Sequence, residues 1–176
     1  PAFKAADFLA LAAHERMTHT VLVPAMYNLC LLERDFGRHD LSRWRIGGYG
    51  GAPMPPATIA RFAEKLPHLG LMNLYGATET TSPATMMPAH ETARRPDSVG
   101  RVVPCGEMRV APDGELWIKG PMVVRGYWND PVATAREFTD GFWHSGDLGA
   151  IDADGFVYVF DRKKDMINRG GYKIYS

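Results

Sequence analysis

The sequence predicts an α/β fold in which a parallel strand–helix region is followed by an antiparallel one. Two observations carry this reading. Up to about residue 92, short apolar strands alternate with helical patterns, the arrangement that builds a mostly parallel sheet. Beyond it, Asp113-Gly114, Asp140-Gly141 and Asp154-Gly155 mark tight turns, and alternating apolar runs follow two of them.

Taken in order, segment 5–16 repeats Phe8, Leu9, Leu11 and Ala12 at helical spacing. Segment 19–23 reads as a short buried strand. Pro24 has a fixed φ and no N–H to leave unpaired, which suits the first turn of a helix running to Leu32. Residues 40–44 form a turn into strand 45–49, which ends in glycines. Pro55 and Pro56 open a helix over 57–66, Pro67 stops it, and 71–74 is a further strand. Segment 91–98, with Arg94, Arg95 and Pro96, is the expected connection. Strands 115–119 and 156–160 then make the second region a small antiparallel sheet or barrel.

Composition narrows the function classes. The chain has 176 residues, enough for one sizeable domain or two small ones. A formal net charge of zero gives no global argument for nucleic acid as a partner. Cys30 and Cys105 have neither the number nor the spacing of a disulfide framework or a zinc site, so both are expected as small packed hydrophobes in a reducing, cytoplasmic setting. The longest apolar stretch, 21–32, is too short to span a bilayer and contains Pro24 and Asn28. Lys4 and Asp7 interrupt any secretory signal, and neither end reads like a natural terminus.

Four stretches could carry chemistry. Gly47-Gly48-Tyr49-Gly50-Gly51-Ala52-Pro53 lies between a strand and a helix, where glycines admit either a flat ligand or a sharp turn. It lacks the Gly-Lys-Ser/Thr of a phosphate loop, and a plain turn also accounts for it. Tyr75-Gly76-Ala77-Thr78-Glu79-Thr80-Thr81 follows a strand at its carboxyl end, the ligand-binding side of open α/β sheets. Its hydroxyl and neighbouring carboxylate suit a phosphate and its magnesium, and a solvated loop fits equally well. In Trp143-His144-Ser145-Gly146-Asp147, read as a loop, the carboxylate could take both hydroxyls of a ribose; an exposed turn aspartate is the commoner case. Asp161-Arg162-Lys163-Lys164-Asp165 reads as a solvated charged face. The start of a calcium loop at Asp152-Ala153-Asp154-Gly155 lacks further ligands, and no Gly-x-Ser-x-Gly elbow or His-Glu-x-x-His helix occurs.

In combination and in this order these stretches resemble the adenylate-forming superfamily. Gly114-Glu115-Leu116-Trp117-Ile118-Lys119-Gly120, Gly126-Tyr127-Trp128 and Gly170-Gly171-Tyr172-Lys173-Ile174 complete the series, and the resemblance covers essentially the whole chain. Residues 163–167 and 170–174 are most similar to the AMP-forming acyl-CoA synthetase branch. Peptide-synthetase adenylation domains are the nearest enzymatic alternative, and a non-catalytic nucleotide-binding or assembly module is the alternative from another class.

The resemblance implies an α/β protein: a parallel α/β subdomain at 1–92, a small antiparallel β-barrel subdomain at 93–161, and at 162–176 the hinge and first strands of an α+β C-terminal domain. It implies ATP or AMP, magnesium and coenzyme A as ligands, with a carboxylic acid activated to an acyl-adenylate and then passed to the thiol. Gly51, Ala52 and Pro53 would wall the adenine on one side and Tyr75 on the other, with Asn73 reading its edge. Thr78 would bind the α-phosphate, Glu79 the magnesium, and Asp147 the ribose with help from Arg162. Lys164 would be the hinge and Gly171 would line the coenzyme A tunnel. Tyr27, Leu74, Thr80, Thr81 and Ser82 would line the acyl pocket. The family's phosphate loop and adenylating lysine do not occur in these residues, so the chain is expected to be an internal piece, inactive alone. Met166, Ile167, Tyr172, Ile174 and Tyr175 would then present an apolar face able to join copies of the chain.

Overall fold

A computed structural model describes residues 2–163 with their side chains and the backbone of 166–169 and 172–175. It is an α/β fold with parallel and antiparallel pairing. The chain divides into two compact units: Pro1–Asn73 with Ala89–Pro96 and Asn168–Tyr172, and Leu74–Pro88 with Asp97–Ile167 and Lys173–Ser176.

The first unit runs helix α1 (Ala5–His14), strand β1 (His19–Leu22), helix α2 (Pro24–Leu32), strand β2 (Ile46–Tyr49), helix α3 (Pro56–Lys65) and strand β3 (Gly70–Tyr75), whose last two residues belong to the second unit. β1, β2 and β3 pair in parallel, with Tyr49 opposite Asn73. Prolines start α2 and α3 as expected. β1 is not the buried strand expected: it pairs with β2 alone among the described residues, and Val21 is 68% exposed.

Aromatic packing explains Gly47 of β2. Tyr27 is fully buried, stacks on Trp44 at 6.0 Å between ring centres, and meets Phe62 edge-on at 5.3 Å. Its hydroxyl donates to the Gly48 carbonyl at 2.9 Å. A Cβ on Gly47 would lie 2.8 Å from that hydroxyl oxygen. The small residue at 47 thus admits a core tyrosine. Burial drives the Tyr27 phenol well above its ordinary range and pushes the Cys30 thiol up to about 12. Cys30 packs in the core as expected, but Cys105 is exposed.

The second unit holds β4 (Thr85–Met86), β5 (Ser98–Val102), β6 (Glu107–Val110), β7 (Glu115–Lys119), helix α4 (Pro131–Glu137), β8 (Phe138–Thr139), β9 (Phe142–Ile151) and β10 (Phe156–Arg162). They pair antiparallel in the order β4-β5-β10-β9-β7-β6, with β8 on β9 and the end of β3 on β4. The three Asp-Gly pairs are the turns β6–β7, β8–β9 and β9–β10. In the last, Asp152 Oδ1 accepts the backbone N–H groups of Asp154 and Phe156, so the calcium-like stretch is a hairpin. Leu116, Ile118, Phe156 and Val157 are at most 2% exposed, and Ile118 packs with Ala84 and Trp143 in a buried cluster of this unit. Strands β11 (Met166–Arg169) and β12 (Tyr172–Tyr175) pair with each other. Among the described residues no helix is long and apolar enough to cross a membrane.

Candidate functional site

The second unit gathers polar side chains at the end of β3. Tyr75, its last residue, is followed by one tight turn over Thr78–Thr80. Thr80 is fully buried, and its hydroxyl both accepts from the Ala77 N–H and donates to the Ala77 carbonyl, each at 3.0 Å. Thr80 therefore caps the turn, while Thr78 is left exposed and Glu79 half-buried. Thr81 donates its hydroxyl to the Met122 carbonyl at 2.9 Å, pinning the far side of the turn.

Glu79 is held twice. Its carbonyl accepts the Val124 N–H at 2.8 Å, and its Oε1 accepts the Tyr127 hydroxyl at 3.0 Å. Tyr127 is itself fixed, with its N–H on the Thr134 hydroxyl at 2.9 Å and its ring edge-on to Phe138. Helix α4 supplies Thr134; Asp130 caps that helix through the Ala133 N–H, and Pro131 fills its first position. The Asp130-Pro131 pair is the sequence signal for this helix, a signal that strand patterns and Asp-Gly turns do not carry.

Asp147 lies in strand β9 rather than in a loop. It is 4% exposed, with Oδ2 accepting the Tyr75 hydroxyl at 2.6 Å and Oδ1 accepting Arg162 Nε at 2.5 Å. The antiparallel register of β9 and β10 sets Arg162 directly opposite Asp147. Burial, and then the negative charge of Asp147, raise the Tyr75 phenol well above its usual range, so Tyr75 stays a donor. Of the 161–165 charge run, Asp161 and Lys163 are exposed as expected of a solvated face, while Arg162 is drawn inward. Arg162 faces Asp147, and Lys163 Nζ bonds Glu115 Oε2 at 2.9 Å and the Asp113 carboxylate.

The structure thus brings together Tyr75, Asp147 and Arg162, and gives Glu79 a tyrosine donor that the sequence reading missed. In the first unit, Gly51 follows β2 at φ +77° and Asn73 is buried on β3. Tyr27 belongs to the aromatic core and Thr80 to a cap, so neither offers an open surface to an acyl group. Leu74 is half-buried, and Thr81 and Ser82 are exposed. Lys164 and Gly171 lie outside the described residues, as do the side chains of Met166, Ile167, Tyr172, Ile174 and Tyr175.

The described residues include no cluster of three histidine, cysteine or acidic groups able to hold a metal. Glu79 supplies one carboxylate beside the Thr78 hydroxyl. That donor set suits magnesium, which keeps several waters and binds through one or two carboxylates plus the phosphates of its substrate.

Residues 1–128 match the AMP-binding enzyme family. A long-chain-fatty-acid–CoA ligase of Mycobacterium tuberculosis is 33% identical across 99% of this chain and 36% of its own length. A feruloyl-CoA synthase of an Amycolatopsis species is 34% identical across 99% of this chain and 37% of its own. The solved structure of the amide bond synthetase McbA from Marinactinospora thermotolerans is similar at a TM-score of 0.91 and 33% identity, covering 99% of this chain and 37% of that one. The chain therefore spans between a third and two fifths of the length of these relatives. By motif order and by this match, the chain belongs to the AMP-binding enzyme family.

Proposed function

We propose that this chain is the nucleotide-holding part of an AMP-forming acyl- or aryl-CoA ligase. The observation that carries the reading is Asp147: a buried carboxylate with one oxygen on Tyr75 and the other on Arg162. Each carboxylate oxygen has two lone pairs, so both keep capacity for the hydroxyls of a ribose. A nucleotide seated there would have its phosphates read by Thr78 and Glu79.

The chemistry asked of the site follows from the substrate. A carboxylate is a poor acylating agent, and its attack on the α-phosphorus of ATP, with loss of pyrophosphate, makes AMP the leaving group. A thiolate of coenzyme A then attacks the carbonyl carbon and AMP departs with the bonding electrons. Magnesium on the phosphates would neutralise their charge, and Glu79, oriented by Tyr127, would hold it. Thr78 would donate its hydroxyl to the α-phosphate, where charge builds up during the transfer.

The adenine role of Gly51, Ala52, Pro53 and Asn73, the acyl-pocket role of Leu74, Thr81 and Ser82, the hinge at Lys164 and the tunnel at Gly171 belong to the same proposal and rest on the resemblance. So do the barrel subdomain, the opening of a C-terminal domain at 162–176, and the absence of turnover by these residues alone. An amine acceptor in place of coenzyme A is the second reading, favoured by the likeness to the amide bond synthetase.

Calorimetric titration of the chain with AMP tests the central claim. Asp147→Ala should weaken AMP by about tenfold or more, since it removes hydrogen bonds to a charged group. Equal affinities for wild type and variant would refute the ribose assignment. In the full reading frame, carboxylate-dependent pyrophosphate exchange, followed by supply of coenzyme A or an amine, decides the acceptor.

A further inference from the structure

Glu115 is 5% exposed, yet it is ionic in character: Oε1 accepts the Gly146 N–H at 2.8 Å, and Oε2 accepts Trp117 Nε1 and Lys163 Nζ, each at 2.9 Å. Burial disfavours its charge, but the bonds from Lys163, Trp117 and Gly146 outweigh this and hold its pKa below the ordinary glutamate value. Two of its partners are placed unusually. Gly146 immediately precedes Asp147, and Lys163 immediately follows Arg162. One buried carboxylate therefore grips both flanks of the Asp147–Arg162 pair.

The reason lies in the β7–β9 ladder. Glu115 stands opposite Leu148 and Trp117 opposite His144, so β9 spends four steps where β7 spends two. The extra residues form a bulge, with Gly146 at φ +71°. A bulge removes backbone groups from the ladder, and a buried N–H left unpaired is costly. Here Glu115 accepts the Gly146 N–H, while the Gly146 carbonyl accepts the Lys163 N–H at 2.8 Å. Asp147, still in β9, follows the bulge glycine directly.

We propose that Glu115, through Gly146 and Lys163, is a positioning residue that holds the bulge of β9 and the end of β10 so that Asp147 and Arg162 stay paired. Its functional meaning rests on the ribose reading of Asp147, but its physical content does not. Glu115→Gln keeps the size and the acceptor for Gly146 or Trp117, and removes the charge that Lys163 seeks. Lys163→Met removes the other end of the same contact from a half-exposed side chain, and so serves where Glu115→Gln fails to fold.

The test is hydrogen exchange of the Arg162 Nε–H, read by nitrogen-15 NMR of the chain and assigned with Arg162→Lys. Loosening the pair should speed that exchange about tenfold in Glu115→Gln, the factor expected for one charged hydrogen bond. Lys163→Met should speed it severalfold, with amides in β5 and β6 unchanged. An unchanged Arg162 rate in the variants overturns the proposal, and so does an equal acceleration at every amide of the unit, which would make Glu115 a general stabiliser. AMP titration of the same samples separates the two readings. Faster Arg162 exchange with unaltered AMP affinity supports the positioning role and removes the ribose assignment, whereas weakened AMP binding supports both.

Discussion

The Tyr75 hydroxyl donates a 2.6 Å hydrogen bond to Asp147 Oδ2, joining two motifs 72 residues apart. The family resemblance gives Tyr75 the role of a flat wall for a base. The phenol adds a second role, because with Arg162 it supplies side-chain donors that keep a buried carboxylate in place. Tyr75→Phe preserves the wall and deletes the donor. It should cost about 1.5–3 kcal/mol of stability, the range for hydrogen bonds to charged groups, as read by urea denaturation. Loss of less than a few tenths would mean that Arg162 alone suffices to hold Asp147.

Tyr127 stands to Glu79 as Tyr75 does to Asp147, donating at 3.0 Å. If Glu79 carries magnesium, Tyr127 orients the ligand without touching the ion. Substitutions of such outer partners typically cost about 10–100-fold in metal affinity or activity. Tyr127→Phe in the full reading frame should therefore raise the magnesium concentration needed for half-maximal pyrophosphate exchange. A magnesium profile identical to wild type would separate Glu79 from the metal or Tyr127 from Glu79. Glu79→Gln distinguishes these two outcomes, because only the first leaves that variant active.

The strand–helix alternation was legible because prolines and apolar spacing act locally: Pro24 and Pro56 start helices whatever the rest of the chain does. The Asp-Gly turns were legible for the same reason. What the sequence hid were the consequences of pairing. Trp143-His144-Ser145-Gly146-Asp147 reads as a polar loop, yet it is strand, since β7 and β10 flank it and the bulge lets polar residues sit in a ladder. Glu115 reads only as the first residue of strand 115–119, and its role as a buried acceptor comes from the bulge opposite, whose Gly146 N–H it takes.

The candidate site was legible in part. Motif order named Tyr75, Asp147 and Arg162, and the structure draws those three together. It named Tyr27 for an acyl pocket, but an aromatic residue on the helix before a glycine-rich strand can equally fill the space that a glycine such as Gly47 leaves. Trp44 and Phe62 come from distant segments, so no local pattern announced that Tyr27 completes their cluster.

The Glu115–Lys163 contact sets a pH window. Glu115 titrates below its ordinary value of 4.5, so its stabilisation is full above that value and fades as pH falls through the lower folded pKa. Lys163 titrates above its ordinary 10.5 because of its bonds to Asp113 and Glu115, so its contribution is full below that value and fades as pH rises through the higher one. Melting temperature should therefore be flat across neutral pH and fall at both ends. Glu115→Gln should lower the plateau and flatten the acid limb below the ordinary glutamate value of 4.5. An acid limb of unchanged steepness in the variant would assign the loss to other carboxylates, Asp113 among them.

Gly47 and Tyr27 offer a sharper test, because one atom decides the outcome. A Cβ at position 47 would sit 2.8 Å from the Tyr27 hydroxyl oxygen and 3.1 Å from Leu71 Cδ2. Tyr27 is fully buried between Trp44 and Phe62 and tied to the Gly48 carbonyl, so it has little room to yield. Gly47→Ala should then destabilise by about 1–3 kcal/mol through overpacking. Tyr27→Phe should cost about 1 kcal/mol for its hydrogen bond, but it also removes the oxygen that the new methyl would strike. The double variant should consequently be more stable than the sum of the single changes by about 1 kcal/mol, within the usual range for residues in contact. Strict additivity would place the obstruction at Leu71, and a double variant worse than the sum would show that the hydroxyl holds β2 in position more than it crowds it.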